Sequence, residues 1–221
     1  MEPAENVLAG LLQRYPRLAP QREQILQAAD LVVQCFEQGG LVLACGNGGS
    51  ASDADHIVGE LMKGFLSARP LPQKEKERFG QDEAGIRLRE RLQGAIPAVS
   101  LVSHGALLSA FSNDVDPQLV YAQQVYGYGS RRKALVMALS TSGNSANVVN
   151  AVRAARALGL PSIAVTGETG GELARLCTVC LRMPSRDTYR IQEYTLPVYH
   201  AICAMAEARC FAAAVTITVL R

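Results

Sequence analysis

The sequence predicts an α/β protein: a parallel sheet of about five strands, flanked by helices and preceded by a helical N-terminal segment. Three observations carry this. Short apolar runs of strand length recur along the chain. Stretches with helical periodicity alternate with them. Turns rich in glycine and serine punctuate the passage from one to the other. Strands alternating with helices imply right-handed βαβ units and a parallel sheet.

The elements follow in order. Residues 5–38 read as helices, because Val7, Leu8, Leu11 and Leu12, and later Ile25, Leu26, Leu31, Val32 and Val33, recur at helical spacing. Gly39-Gly40 stops the second of them. LVLAC (41–45) is a buried parallel strand, GNGGSASD a turn, and about 52–66 a helix. PAVSLV (97–102) is strand-like and precedes a helix near 104–112. ALVMALS (134–140) leads to a helix at about 145–158 that ends at Gly159. PSIAVTG (161–167) leads to a helix at 171–176, TVCLRM (178–183) is the fifth strand, and a long helix covers about 188–211. Pro197 is expected to bend that helix. The organisation is then a helical segment at 1–40 and a sheet domain at 41–211. Within the latter, the charged segment 71–96 breaks the rhythm and reads as a helical surface excursion, with a lid over the site as the alternative.

The 221 residues are 48% hydrophobic with a formal net charge of +2, so a full core is possible and nothing calls for nucleic acid or membrane as a partner. No apolar run is of bilayer-spanning length. The opening MEPAENVLAGLLQRYP lacks a basic leader and a cleavage site. A cytoplasmic location with reduced thiols is the expectation. Cys177 and Cys180 form a lone CxxC with no second pair at ligand spacing, and strand alternation would point them to opposite faces, so they read as buried structural thiols.

Ligands bind at the carboxyl ends of parallel strands. After the strand ALVMAL, the turn Ser140-Thr141-Ser142-Gly143-Asn144-Ser145 offers four hydroxyls in six residues. An amphipathic helix follows, whose first N–H groups are free and carry the positive end of the dipole. Such a turn binds a phosphate dianion. A simple N-cap needs one hydroxyl, not four. The turn is no Walker motif, and GNGGSASD lacks dinucleotide fingerprint spacing. His56 and Glu60, four apart, share a helix face, as do Gln192 and His200, eight apart. Imidazoles and carboxylates so placed can hold a metal or move a proton.

CGNGGSASDADHIVGEL resembles the first motif of bacterial phosphoheptose isomerases, members of the sugar isomerase (SIS) fold. ALSTSGNSANVVNAVRAAR is similar to that family's phosphate loop and helix, TGETGGELA to its next strand-loop-helix, and RIQEYTLPVYHAICAM to its last helix. The resemblance covers about 30–70 and 97–207. It implies an SIS-type three-layer sandwich and an isomerase acting on a sugar phosphate, sedoheptulose 7-phosphate above others, through a cis-enediol. It further implies substrate contacts at Asn47, Gly48, Gly49, Ser50, Glu60, Asn113, Asp114, Ser140, Thr141, Ser142, Ser145 and Gln192. It implies zinc, one per subunit, at His56, Glu60, Gln192 and His200, with Glu60 and His200 as the acid–base pair, and a homotetramer with sites shared between subunits. The chain departs from the family at Tyr189, where Asp is common, at Lys63-Gly64, where Gly-Arg is usual, and in the 71–96 insertion. A non-catalytic SIS module that binds phosphosugars or regulates, like a bacterial replication-initiator-associating protein, is the alternative; the presence of all four of His56, Glu60, Gln192 and His200 favours the enzyme. His104 has no matched role and is expected to cap or pack beside the helix that follows it. The β-prone tail AAAVTITVLR is left unassigned.

Overall fold

A computed structural model describes residues 3–211. The tail after 211 lies outside the described residues. Five parallel strands form one sheet in the order β2-β1-β3-β4-β5: β1 (Leu41–Cys45), β2 (Ala98–Ser100), β3 (Ala134–Leu139), β4 (Ser162–Thr166) and β5 (Val179–Arg182). The five expected strands are these. All six residues of β3 are buried, as befits a central strand covered on both faces.

Alternation along the strands sorts two cores. On one face Val42, Ala44, Leu135, Met137 and Ile163 pack with three long helices: α1 (Pro3–Arg14), α2 (Arg22–Glu37) and α10 (Thr188–Cys210), and with α3 (Gly49–Met62). On the other, Leu43, Cys45, Val136 and Ala138 pack with α7 (Val120–Gly129) and α8 (Ala146–Ala157). This is a three-layer sandwich. Leu8, Leu11, Ile25 and Val32 of the first forty residues are buried in the same cluster as the strands, so the N-terminal helices complete the sheet's cover rather than standing apart. A short 3-10 turn, Pro16–Gln21, joins α1 to α2.

The segment 71–96 carries two short helices, α4 (Gln73–Lys76) and α5 (Glu83–Arg91), with few buried residues. Its root is closed by an antiparallel bridge between Pro70 and Gln93 and by the Gly94 N–H bonded to the Arg69 carbonyl at 2.7 Å. It follows the C-terminal end of α3, and its root shares a cavity lining with Phe36 and Phe211.

Several expectations differ. Helix α3 starts at Gly49, not near 52, because the glycine turn itself enters the helix. Helix α6 (Gly105–Asp114) runs on through Asn113 and Asp114. Helix α7 was not foreseen: its glycines Gly127 and Gly129 mask the apolar face of Val120, Tyr121 and Val125. Helix α9 is a single turn, Leu173–Leu176, and α10 continues through Pro197, whose missing N–H leaves the Glu193 carbonyl without its helical donor. Cys177 precedes β5, so strand alternation does not govern it, and both Cys177 and Cys180 pack half-buried on the same cluster instead of opposite faces. Burial pushes the Cys177 thiol up to about 12, so it stays protonated. His104 holds the N-cap position of α6 without capping it, and packs against Tyr128, whose hydroxyl is 3.2 Å from its Nε2.

Candidate active site

Strand β2 lies outside β1, while β3 lies on its other side. The connections after β1 and β3 therefore diverge and open a crevice at their carboxyl ends. The hydroxyl turn and the GNGGS turn are the two lips of that crevice.

In the hydroxyl turn, Ser140 Oγ lies 2.9 Å from Ser145 Oγ and 3.5 Å from Ser142 Oγ. Ser145 is the N-cap residue of α8, yet its hydroxyl makes no capping bond. Three hydroxyls are gathered at the positive end of a helix; Ser142 Oγ accepts the Asn144 N–H at 3.1 Å, while those of Ser140 and Ser145 bond only to other hydroxyls. Thr141 is half-buried beside them. Gly143 has φ +69, and a Cβ there would lie 2.2 Å from the Gly170 carbonyl oxygen. That closeness shows what backs the turn. The Gly167 N–H donates to the Thr141 carbonyl at 2.9 Å, the Leu173 N–H to the Gly143 carbonyl at 3.1 Å, and the Glu172 N–H to Asn144 Oδ1 at 2.9 Å. The turn is fixed before any ligand arrives, which removes part of the ordering cost of binding.

Across the crevice, Asn47 and Asn147 exchange two amide hydrogen bonds, of 2.8 and 2.9 Å. Asn147 sits in the first turn of α8, so this pair ties the two lips together. The Tyr121 hydroxyl donates to the Gly46 carbonyl at 2.8 Å and steadies the same turn. Gly48 and Gly49 are exposed at the rim, and Ser50 is buried just behind them. A Cβ on Gly49 would meet the Gln192 amide nitrogen at 2.4 Å. A side chain at 49 would displace the Gln192 amide from the start of α3.

Helices α3 and α10 both leave the carboxyl edge and run side by side in the same direction. Gly49 meets Gln192; seven residues on, His56 meets Tyr199 and His200, with 5.0 Å between the two imidazole centroids. The ligand atoms of His56, Glu60 and His200 all lie within 4.8 Å of one another. Glu60 Oε1 is 3.0 Å from His56 Nε2, and Lys63 Nζ donates to Glu60 Oε2 at 3.3 Å. His200 Nε2 is buried and has no hydrogen-bond partner among the described residues. Such an orphan costs about 1–3 kcal/mol, which a cation or a substrate hydroxyl would relieve. Burial lowers the His200 pKa, helped by the neighbouring His56 and opposed by Glu60. The neutral ring that results is the form that binds a metal. Two imidazoles and a carboxylate converging on one point can hold a metal ion with positions left open for substrate. His200 also opens on a cavity of about 320 Å³ lined by Tyr15, Phe65, Leu196 and Pro197.

The structure thus brings His56, Glu60 and His200 together. The Gln192 amide lies against Gly49 at the start of α3. Asn113 and Asp114 are exposed at the end of α6 and bond to each other at 2.8 Å. No hydrogen bond among the described residues joins them to either lip.

Sequence reading missed three supporting residues. Asn147 stands a hundred positions from its partner, and only the shared GN-and-serine pattern of the two turns hinted at it. Tyr199, next to His200 in the chain, reaches back to His56 (2.8 Å from Nδ1), which helix periodicity alone does not announce. Arg69 is fully buried and donates to the carbonyls of Glu60 and Leu61 at 3.1 and 2.7 Å, pinning the turn that carries Glu60; it lies in no recognisable motif.

Two SIS domain family models match, one over residues 9–94 and one over 124–208. The phosphoheptose isomerase of Roseiflexus sp. (strain RS-1) is 38% identical over 207 residues, covering 94% of this chain and 92% of that protein. That of Burkholderia pseudomallei (strain K96243) is 35% identical over 204 residues, covering 92% and 89%. The solved structure of the phosphoheptose isomerase from Neisseria gonorrhoeae superimposes with a TM-score of 0.70 at 32% identity, over 90% of this chain and 94% of that one.

Proposed function

The chain belongs to the phosphoheptose isomerase family of SIS-domain proteins, and from that premise we propose that it is an aldose–ketose isomerase converting sedoheptulose 7-phosphate to D-glycero-D-manno-heptose 7-phosphate. The observation that carries the reading is the pairing of a preformed hydroxyl turn with the converging His56, Glu60 and His200.

The phosphate is held by Ser140, Thr141, Ser142 and Ser145 and the first N–H groups of α8. Asn47, Gly48, Gly49, Ser50 and Gln192 contact the sugar chain beside it. At the carbonyl end, Glu60 removes the proton from C1. The cis-enediol forms as the C1–H electrons move into the C1–C2 bond and the carbonyl oxygen takes a proton. Glu60 returns the proton to C2, while His200 moves the proton between O1 and O2. Carboxylate and imidazole both work near neutral pH. His56, Glu60 and His200, with Gln192 on the same helix as His200, are the residues that would hold zinc, and the unpartnered, neutral His200 nitrogen fits that role. What zinc supplies when bound there is polarisation of the carbonyl.

A homotetramer with shared sites supports this chemistry. Helix α6 has no buried residue in the single chain, and Asn113 and Asp114 at its end are free to meet substrate held by a neighbouring subunit. Light scattering tests it: a mass near four chains is expected, and a monomer would remove the shared site. No helix among the described residues is long and apolar enough to cross a membrane.

Substituting Glu60→Gln tests the assignment. Turnover should fall by about 10²–10⁴-fold, the usual contribution of a general base. Wild-type turnover in that variant would refute the role of Glu60.

A further inference from the structure

Resting on the reading of His56 as a metal ligand, we propose that Tyr199 and Asp53 are positioning residues that set the imidazole proton of His56 so that its Nε2 is free for the metal. Tyr199 is fully buried. Its hydroxyl lies 2.8 Å from His56 Nδ1 and 3.3 Å from Asp53 Oδ1. Its ring stands edge-on to both His56 and His200, at centroid distances of 5.5 and 5.0 Å. One hydroxyl, with one proton, therefore has two partners.

Those two partners define two arrangements. In the first, His56 Nε2–H donates to Glu60 Oε1, 3.0 Å away. Nδ1 is then bare, and the Tyr199 hydroxyl donates to it. In the second, the proton sits on Nδ1 and is given to the Tyr199 oxygen, and the Tyr199 hydroxyl turns its own proton to Asp53. Nε2 is now bare, as a metal requires, and Glu60 Oε1 is released from His56. Only a group that both accepts and donates serves both arrangements, and only with Asp53 in reach does the second leave no buried proton unpaired. A ligating histidine is ordinarily fixed in this way by a group on its other ring nitrogen. Here the fixing group is drawn from α10, the helix that also carries His200, so the two imidazoles are oriented by one packed ring.

Zinc alone is the probe. Its dissociation constant is measured by competition with a chromophoric chelator for the wild type, His56→Ala, Tyr199→Phe and Asp53→Asn. Nitrogen-15 NMR of the imidazoles in the zinc-loaded protein reports the proton position, which a purely structural role would not set. Tyr199→Phe keeps the buried ring, and Asp53→Asn keeps the shape at a half-exposed position, so both should melt as the wild type does. The expected result is zinc binding weakened about 10–100-fold in each variant, and a proton on His56 Nδ1 in the wild type. If Tyr199→Phe and Asp53→Asn bind zinc within twofold of the wild type while His56→Ala does not, the positioning role is overturned and the metal reading stands. A proton on His56 Nε2 in the zinc-loaded protein overturns it as well. If the wild type binds zinc no better than His56→Ala, the metal reading fails and takes this role with it.

Discussion

Changing Glu207 to Gln should destabilise this protein more than changing its partner Arg69 to Met, although both break the same ion pair. The two side chains are 2% and 0% exposed, with Arg69 Nε 2.7 Å from Glu207 Oε1. Breaking a buried pair from one side costs about 3–5 kcal/mol, because the surviving charge is left without its partner. What survives differs. In Arg69→Met, the Glu207 carboxylate keeps three backbone donors, the N–H groups of Phe65, Leu66 and Ser67 at 2.8, 2.8 and 3.1 Å. The cost should sit near the lower figure, about 3 kcal/mol. In Glu207→Gln, a fully buried guanidinium loses its counter-charge, and the new NH₂ faces N–H donors it cannot accept from. That places it near about 5 kcal/mol. For a chain of this size 1 kcal/mol moves the midpoint by about 2–4 °C, so the expected drops are about 6–12 °C and about 10–20 °C. Thermal melts at one fixed protein concentration check this. An Arg69→Met loss equal to or larger than the Glu207→Gln loss refutes the reasoning. Turnover should also fall in Arg69→Met, since Arg69 holds the Glu60 carbonyl.

Other consequences follow from the same geometry. Ser145→Ala should weaken binding of inorganic phosphate yet leave the melting point nearly unchanged, because its hydroxyl makes no capping bond; a stability loss of about 1 kcal/mol would instead mark an ordinary cap. Gly143→Ala should abolish phosphate binding, since the new methyl group would meet the Gly170 carbonyl; phosphate affinity equal to wild type by calorimetry would contradict this. Asn147→Ala should raise KM more than it lowers kcat, because it loosens the two lips without touching the acid–base group; steady-state kinetics decides. The lowered pKa of His200 has a pH signature. Its unfolded form binds a proton below about 6.5, where the folded form still resists it, so stability should fall as pH drops below that value. Urea midpoints between pH 5 and 7.5 in chelator should show this slope, and His200→Gln should flatten it.

Much of this was legible in the sequence, and for identifiable reasons. All five strands were readable because parallel strands buried on both faces are unbroken apolar runs, as in ALVMAL. The hydroxyl turn was readable because its chemistry lies within six adjacent residues. Helix α7 was not, since two glycines obscure a face that only packing on α8 makes apolar. Periodicity puts Gln192 and His200 on one face of α10, but that this face meets the His56 side of α3 is decided by packing. The Asn47–Asn147 pair and the reach of Tyr199 to His56 depend on how α3, α8 and α10 pack, which no local pattern encodes. Arg69 reads as one more charge beside a charged insertion; only the buried Glu207, 138 positions away, reveals it as the anchor of the Glu60 turn.

A protein that anchors the phosphate on its hydroxyl turn and moves the proton with Glu60 is tested most directly by proton NMR of sedoheptulose 7-phosphate incubated with it in D₂O. Anomeric signals of the aldose phosphate should appear with deuterium at C2, and neither should appear in Glu60→Gln. A folded wild-type protein that binds the sugar phosphate but yields no aldose and no deuterium exchange, with or without zinc, would contradict this expectation and leave a phosphosugar-binding module.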